Sequence, residues 1–143
     1  MSKKTKAPAW FWVIALVALI WNLMGVMAYL EEVTLTDSEI AAMDINMRNL
    51  HLTTPTWATA SFALAVWGGA LGGLFLLLRK SWAIYAFILS LIGVMVQMYH
   101  SLFISNSIEV YGPGGMTMPV LVVIFGIAFI FFTRAAAQRN WIR

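Results

Sequence analysis

The chain has no cysteine, which excludes disulfides, thiolate metal sites, iron–sulfur clusters and thiol redox chemistry. Charge is nearly as scarce: Asp, Glu, Lys and Arg together make up 10% of 143 residues, against 62% apolar types. A soluble domain runs at roughly half apolar and could not hide so much apolar side chain in one core; lipid as solvent removes the difficulty. Motifs for chemistry are missing too. The sequence carries no carboxylate pair, Ser/His/Asp set, phosphate loop or metal-ligand cluster of persuasive spacing, so neither an enzyme nor a bound cofactor is expected. The net charge of +3 does not point to nucleic acid, because the basic residues form short clusters beside apolar runs.

Those runs define the fold class. A bilayer core about 30 Å thick requires around 20 mostly apolar helical residues. Residues 9–30, 57–78 and 82–104 meet this, and 117–133 forms a shorter fourth run with Pro119 in its first turn, where a missing N–H has no partner to lose. The fourth run is β-branched and Phe-rich, but a lone strand in lipid leaves its backbone unpaired, so a helix is expected. The expected architecture is an all-α membrane protein, a four-transmembrane-helix bundle forming one domain over 1–143. The first run is too long for a signal peptide and no small-residue cleavage site follows it.

Charge placement gives an orientation. Lys3, Lys4, Lys6, Arg79, Lys80, Arg134, Arg139 and Arg143 fall in the N-terminus, the second loop or the C-terminus. The opposite side holds Arg48 and every acid: Glu31, Glu32, Asp37, Glu39, Asp44 and Glu109. The positive-inside rule then puts both termini in the cytoplasm. Trp10, Trp12, Trp57, Trp82 and Trp141 lie near span ends, as interfacial anchors do.

In the first loop, Thr36-Asp37-Ser38-Glu39 has the form of a capping box. Ile40, Met43, Met47 and Leu50 follow at helical spacing, predicting an amphipathic surface helix over 37–50. In the last loop, Tyr111–Gly115 is a turn-forming cluster. Span two carries Ala65, Gly68, Gly69, Gly72 and Gly73, small residues at the spacing that lets helix backbones approach in lipid.

No Asp, Glu, Lys or Arg falls inside a span. Proton relays and ion-coupled antiporters keep such a group, so active transport is disfavoured. Neutral polar residues do occur. Asn22, Gly25 and Tyr29 share one helical face, as do Ser90, Gly93 and Gln97, in two matched stretches (Asn-Leu-Met-Gly-Val-Met and Ser-Leu-Ile-Gly-Val-Met). The match raises a parallel repeat of two hairpins. Asn22, Tyr29, Ser90 and Gln97, with mid-span Trp67, are candidates for a polar seam that holds a small neutral solute; interhelical hydrogen bonding explains the same residues more simply. Nine methionines raise a second candidate, a Cu(I) site of Met98, His100, Met116 and Met118, since thioether and imidazole suit that ion.

Together Trp21-Asn22-Leu-Met-Gly25-Val-Met-Ala-Tyr29, Thr54-Pro55-x-Trp57, Phe62-Ala-x-Ala65-Val, Leu77-Leu78-Arg79-Lys80 and Ser90-Leu-x-Gly93-Val resemble a group of small bacterial four-helix inner-membrane proteins labelled "sugar transporter". The resemblance implies transport of a sugar and assigns no binding residues. The expected partners are the lipid bilayer and either further copies of the chain or a larger membrane complex, in which the protein would be an accessory subunit docking through its glycine stripe and the capping helix of the first loop.

Overall fold

The computed structural model describes residues 6–105, 114 and 117–143. Four helices in it are long and apolar enough to cross a membrane: α1 (Ala9–Val33), α4 (Thr56–Leu77), α5 (Ala83–Tyr99, continued by a π-helical turn at His100–Ile104) and α6 (Thr117–Gln138). Between the first two lie the short helices α2 (Asp37–Ala41) and α3 (Ile45–Thr53). The chain is a multi-pass, all-α membrane protein. Large apolar side chains such as Val13, Val17, Leu71, Leu74, Ile92 and Phe131 point outward, the arrangement expected where lipid replaces water.

The fourth span runs to Gln138, longer than the apolar run alone; within it the buried Thr133 returns its hydroxyl to the Phe129 carbonyl at 2.6 Å. The first loop departs further from expectation. The capping box at Thr36 is present, with its hydroxyl accepting from the Glu39 amide at 3.2 Å and Glu39 accepting in return. The helix it starts lasts five residues. Asp44 then caps a second helix by accepting from the Asn46 amide at 3.1 Å, so the predicted single helix over 37–50 is two, the second reaching Thr53. A side chain that bonds the backbone two residues ahead favours a turn over helix continuation. The turn cluster at 111–115 lies outside the described residues save Gly114.

Helix α4 is the centre of the bundle, and its small residues form two adjoining faces. Gly69 and Gly73 face α1: a methyl on Gly69 would overlap the Asn22 amide, and one on Gly73 would sit 2.7 Å from the Leu19 Cα. Gly68 and Gly72 face α5, against the Ser90 backbone and the Phe87 ring. In return Gly93 of α5 lies under Ser61 and Ala65, its added methyl only 2.7 Å from the Ser61 carbonyl oxygen. Gly25 of α1 meets Val66. Ser90 fastens α5 to α4 by donating to the Ala65 carbonyl at 2.5 Å. Both neighbours thus reach backbone contact with α4, the packing that small residues permit in a bilayer. The matched stretches of α1 and α5 occupy similar places on either side of α4. The likeness ends at the helices that follow them, since α6 brings only Gly126 to α5.

Helix α6 packs on α5 and reaches α1 through large rings, Trp21 on Phe125 (4.7 Å) and Phe11 on Phe132 (5.7 Å). The end of the bundle carrying Lys6, Arg79, Lys80, Arg134, Arg139 and Arg143 is closed by a fold-back. Helices α4 and α6 both end in Schellman caps: Lys80 N–H bonds Phe75 O, and Trp141 N–H bonds Ala136 O. The left-handed positions are Arg79 (φ 55°) and Asn140 (φ 59°). The two caps are joined, with Arg143 N–H on Arg79 O (3.0 Å), Ser81 N–H on Arg143 O (3.0 Å) and Arg79 Nε on Trp141 O (2.6 Å). Trp141 and Ile142 are buried there beside Ala7, Phe11 and Leu76. Trp141 is therefore a plug under the bundle and not the interfacial anchor its position suggested.

Because overpacking a tight contact costs about 1–3 kcal/mol, Gly73→Ala and Gly93→Ala should each lower unfolding stability in mixed micelles by that amount. Gly126→Ala, whose methyl would meet only the flexible tip of Leu91 at 3.2 Å, should change it by less than about 0.5 kcal/mol. Equal losses in all three would mean that the glycines do not mark backbone contacts.

Candidate functional site

Aromatic rings separate α1 from α6 near the basic end, and beyond them the space is not filled. A cavity of about 440 Å³ lies among α1, α4, α5 and α6. Its floor is Trp21, Phe87 and Phe129, with Phe87 and Phe129 in ring contact at 5.5 Å. Val66, Val94, Met98, Met118 and Val122 make its walls mostly apolar. Toward the acidic end a second cavity of about 400 Å³ sits beneath α3, whose Met47, Leu50 and His51 line it together with Met43 from the turn before α3. Ala28, Phe62, Gln97 and Ser101 line both, so chamber and vestibule meet at those four residues.

Hydrogen-bond accounting separates the polar residues into two groups. Asn22 lines the chamber, but its Nδ2 donates to the Ala18 carbonyl at 2.8 Å and its amide is pressed against Gly69. Ser90 also lines it, with its hydroxyl committed to Ala65. Ser61 and Thr133, both buried, return their hydroxyls to carbonyls of their own helices. These groups hold helices together. In a second group the side chains make no hydrogen bond or ion pair among the described residues: Gln97, at the junction, and Glu31, Glu32, His51 and His100 around the vestibule. His100 is the sharpest case, only 7% exposed and held edge-on against Trp57 at 5.3 Å. It starts the π-helical turn, in which Ser105 N–H reaches back to His100 O at 2.9 Å. Such turns rotate side chains off the regular helical face and recur at functional sites.

The sequence candidates therefore scatter. Asn22, Ser90 and Gln97 are brought to one chamber. Tyr29 stays outside both cavities, packing edge-on against Phe62 at 5.6 Å. Trp67 lies on the outer surface of α4, 46% exposed, and lines neither cavity. Of the copper candidates, Met98 and Met118 line the chamber while His100 lines the vestibule; Met116 lies outside the described residues. No group of three or more His, Asp or Glu among the described residues could hold a metal ion. Glu31 and Glu32 end α1 and His51 lies in α3, so spacing within the spans does not single them out for a solute site; the structure brings all three to the vestibule.

Compared with protein-family models, curated proteins and solved structures, the chain matches none.

Since the chain lacks cysteine, Gln97→Cys and Phe87→Cys each supply a single thiol. In nanodiscs, Gln97→Cys should react with a charged, water-soluble maleimide several times faster than Phe87→Cys, which is closed off by neighbouring rings. Equal rates would show that the vestibule does not admit water to the junction.

Proposed function

We propose that this protein is a binder, and in a bacterial inner membrane a passive carrier, of a small amphipathic solute whose membrane-buried part is uncharged. The acidic end, with the vestibule, would face outward from the cytoplasm, as the basic flanks favour. The observation that carries this reading is the pair of contiguous cavities: unpartnered polar side chains near one end, apolar walls deeper in, and an aromatic floor toward the other end. Ligand sites have this character, a largely apolar enclosure with a few placed polar groups.

The same geometry argues for an amphipath over a free sugar. A sugar needs many hydrogen bonds, and the groups best placed to give them within the membrane, Asn22 and Ser90, already serve helix carbonyls. Gln97 is the free amide on the chamber wall. The cavity is also built by one chain, so binding requires no second copy. For the accessory-subunit reading, the glycine stripe of α4 offers no docking surface, since α1 and α5 cover it; the short helices of the first loop are what that reading retains.

Thermal unfolding in nanodiscs with hexyl glucoside and with glucose tests this. Hexyl glucoside should stabilise the protein, by about 2.7 kcal/mol at one hundred times its Kd, and glucose should not. Val122→Trp, which fills the chamber from α6, should remove the effect. Stabilisation by glucose alone would favour the plain sugar reading, and no response to either would sink solute binding.

A further inference from the structure

The chamber has a side as well as a mouth. Helices α1 and α6 are bridged by rings as far as Trp21 and Phe125, and α1 then continues for twelve residues to Val33, about 18 Å at 1.5 Å per residue. Over that stretch no ring contact joins the two helices among the described residues. Met24 of α1 and Met118 of α6 are 61% and 59% exposed and yet both line the chamber, which makes them the two lips of a lateral slit. A slit at this depth opens on hydrocarbon, not on water.

We propose that the site takes a single-chain amphiphile from the outward leaflet, its chain lying in the chamber through this slit and a cationic ammonium head lodged in the vestibule. This rests on the solute-binding reading above and names the solute's class. A chain that passes from bilayer to chamber leaves one apolar medium for another, so its burial contributes little and discrimination falls on the head group. At the head-group level the vestibule presents Glu31 and Glu32, and among the described residues no Lys or Arg lines it. Two carboxylates without an ion pair attract a cation and repel an anion. His100 adds a polar group to the same space: the residue is 7% exposed and lines the vestibule. No buried side-chain nitrogen or oxygen among the described residues lacks a partner, so the ring nitrogens of His100, which bond no described residue, are open to whatever fills the vestibule. Phe62, which lines both cavities and is braced by Tyr29, offers a ring at the junction where the head meets the chain, a contact that favours ammonium over neutral or anionic heads.

The test uses one chain length and three heads: dodecylammonium, dodecanol and dodecanoate, with the protein in nanodiscs. Two single-thiol variants report occupancy by protection from an uncharged maleimide, Val94→Cys in the chamber and Thr59→Cys in the vestibule. Dodecylammonium should slow labelling at both positions, by roughly tenfold when present at about ten times its Kd. Dodecanol should protect Val94→Cys more weakly, and dodecanoate least. Adding Glu31→Gln and Glu32→Gln should reduce protection by dodecylammonium to the level of dodecanol without affecting dodecanol itself. Dodecanoate protecting as well as dodecylammonium, or a double Gln variant that leaves the order of heads unchanged, overturns the cationic head. No protection of Val94→Cys by any of the three removes the underlying solute-binding reading instead.

Discussion

Backbone contact on two adjacent faces of α4 is the constraint from which the rest of the bundle follows. Gly69 and Gly73 admit α1, Gly68 and Gly72 admit α5, and Gly93 closes the second contact from the other side. In lipid there is no hydrophobic gain in bringing helices together, so association depends on close packing of this kind. With α1 and α5 drawn tightly onto one helix, the remaining span has no glycine face left to enter. Helix α6 leans on α5, and its distance from α1 is taken up by rings: Trp10, Phe11 and Trp21 from one side, Phe125, Phe132 and Trp141 from the other. Where the rings stop, the gap becomes the chamber. The cavity is the geometric complement of the glycine contacts.

The two ends of the bundle are finished by different means, and the difference gives the cavity its direction. At the basic end, the caps of α4 and α6 bond one another and draw Trp141 and Ile142 beneath the spans. Arg79 accepts a left-handed conformation there, which a non-glycine residue adopts at a cost of about 1–2 kcal/mol; its guanidinium bond to the Trp141 carbonyl and the joined caps offset that cost. Cations at two helix C-termini also suit the helix dipoles. At the acidic end no such closure occurs. Short helices broken at Asp44 arch over the spans, and the space beneath them stays open to polar groups.

Much of this fold could be read from residue spacing. The four spans, the capping box at Thr36 and the stripe of small residues in α4 are all local patterns with a single physical explanation. What escaped reading depended on the third dimension or on one bond. Asp44 ends one helix and starts another through a single side-chain contact with Asn46, and apolar spacing runs across that break without a sign of it. Trp141 looks like an interfacial anchor until Asn140 turns the chain back; an Asn just beyond a helix is a recognised signal for the left-handed cap, but where the chain then goes is not local information. The π-helical turn after Tyr99 has no signature in His-Ser-Leu-Phe-Ile. Trp67 stood out as a tryptophan at mid-span, and α4 turns it outward because its glycines occupy the inner faces.

Hydrogen-bond supply explains why the candidate site lies further out than the polar residues of the spans suggest. A buried hydroxyl or amide in a bilayer must find a partner, since an unsatisfied polar group there costs several kcal/mol. With no charged residue in the apolar interior of the spans, the nearest partners are helix carbonyls, and Asn22, Ser61, Ser90 and Thr133 all take them. Once taken, those groups are no longer free for a ligand without breaking a contact that holds the fold. Only toward the acidic end, where water and head groups are within reach, can a polar side chain remain unpartnered at tolerable cost. Gln97 marks the depth at which that begins, and His100 and the two glutamates lie beyond it. The same rule that stabilises the bundle therefore sets the level at which it can recognise anything polar.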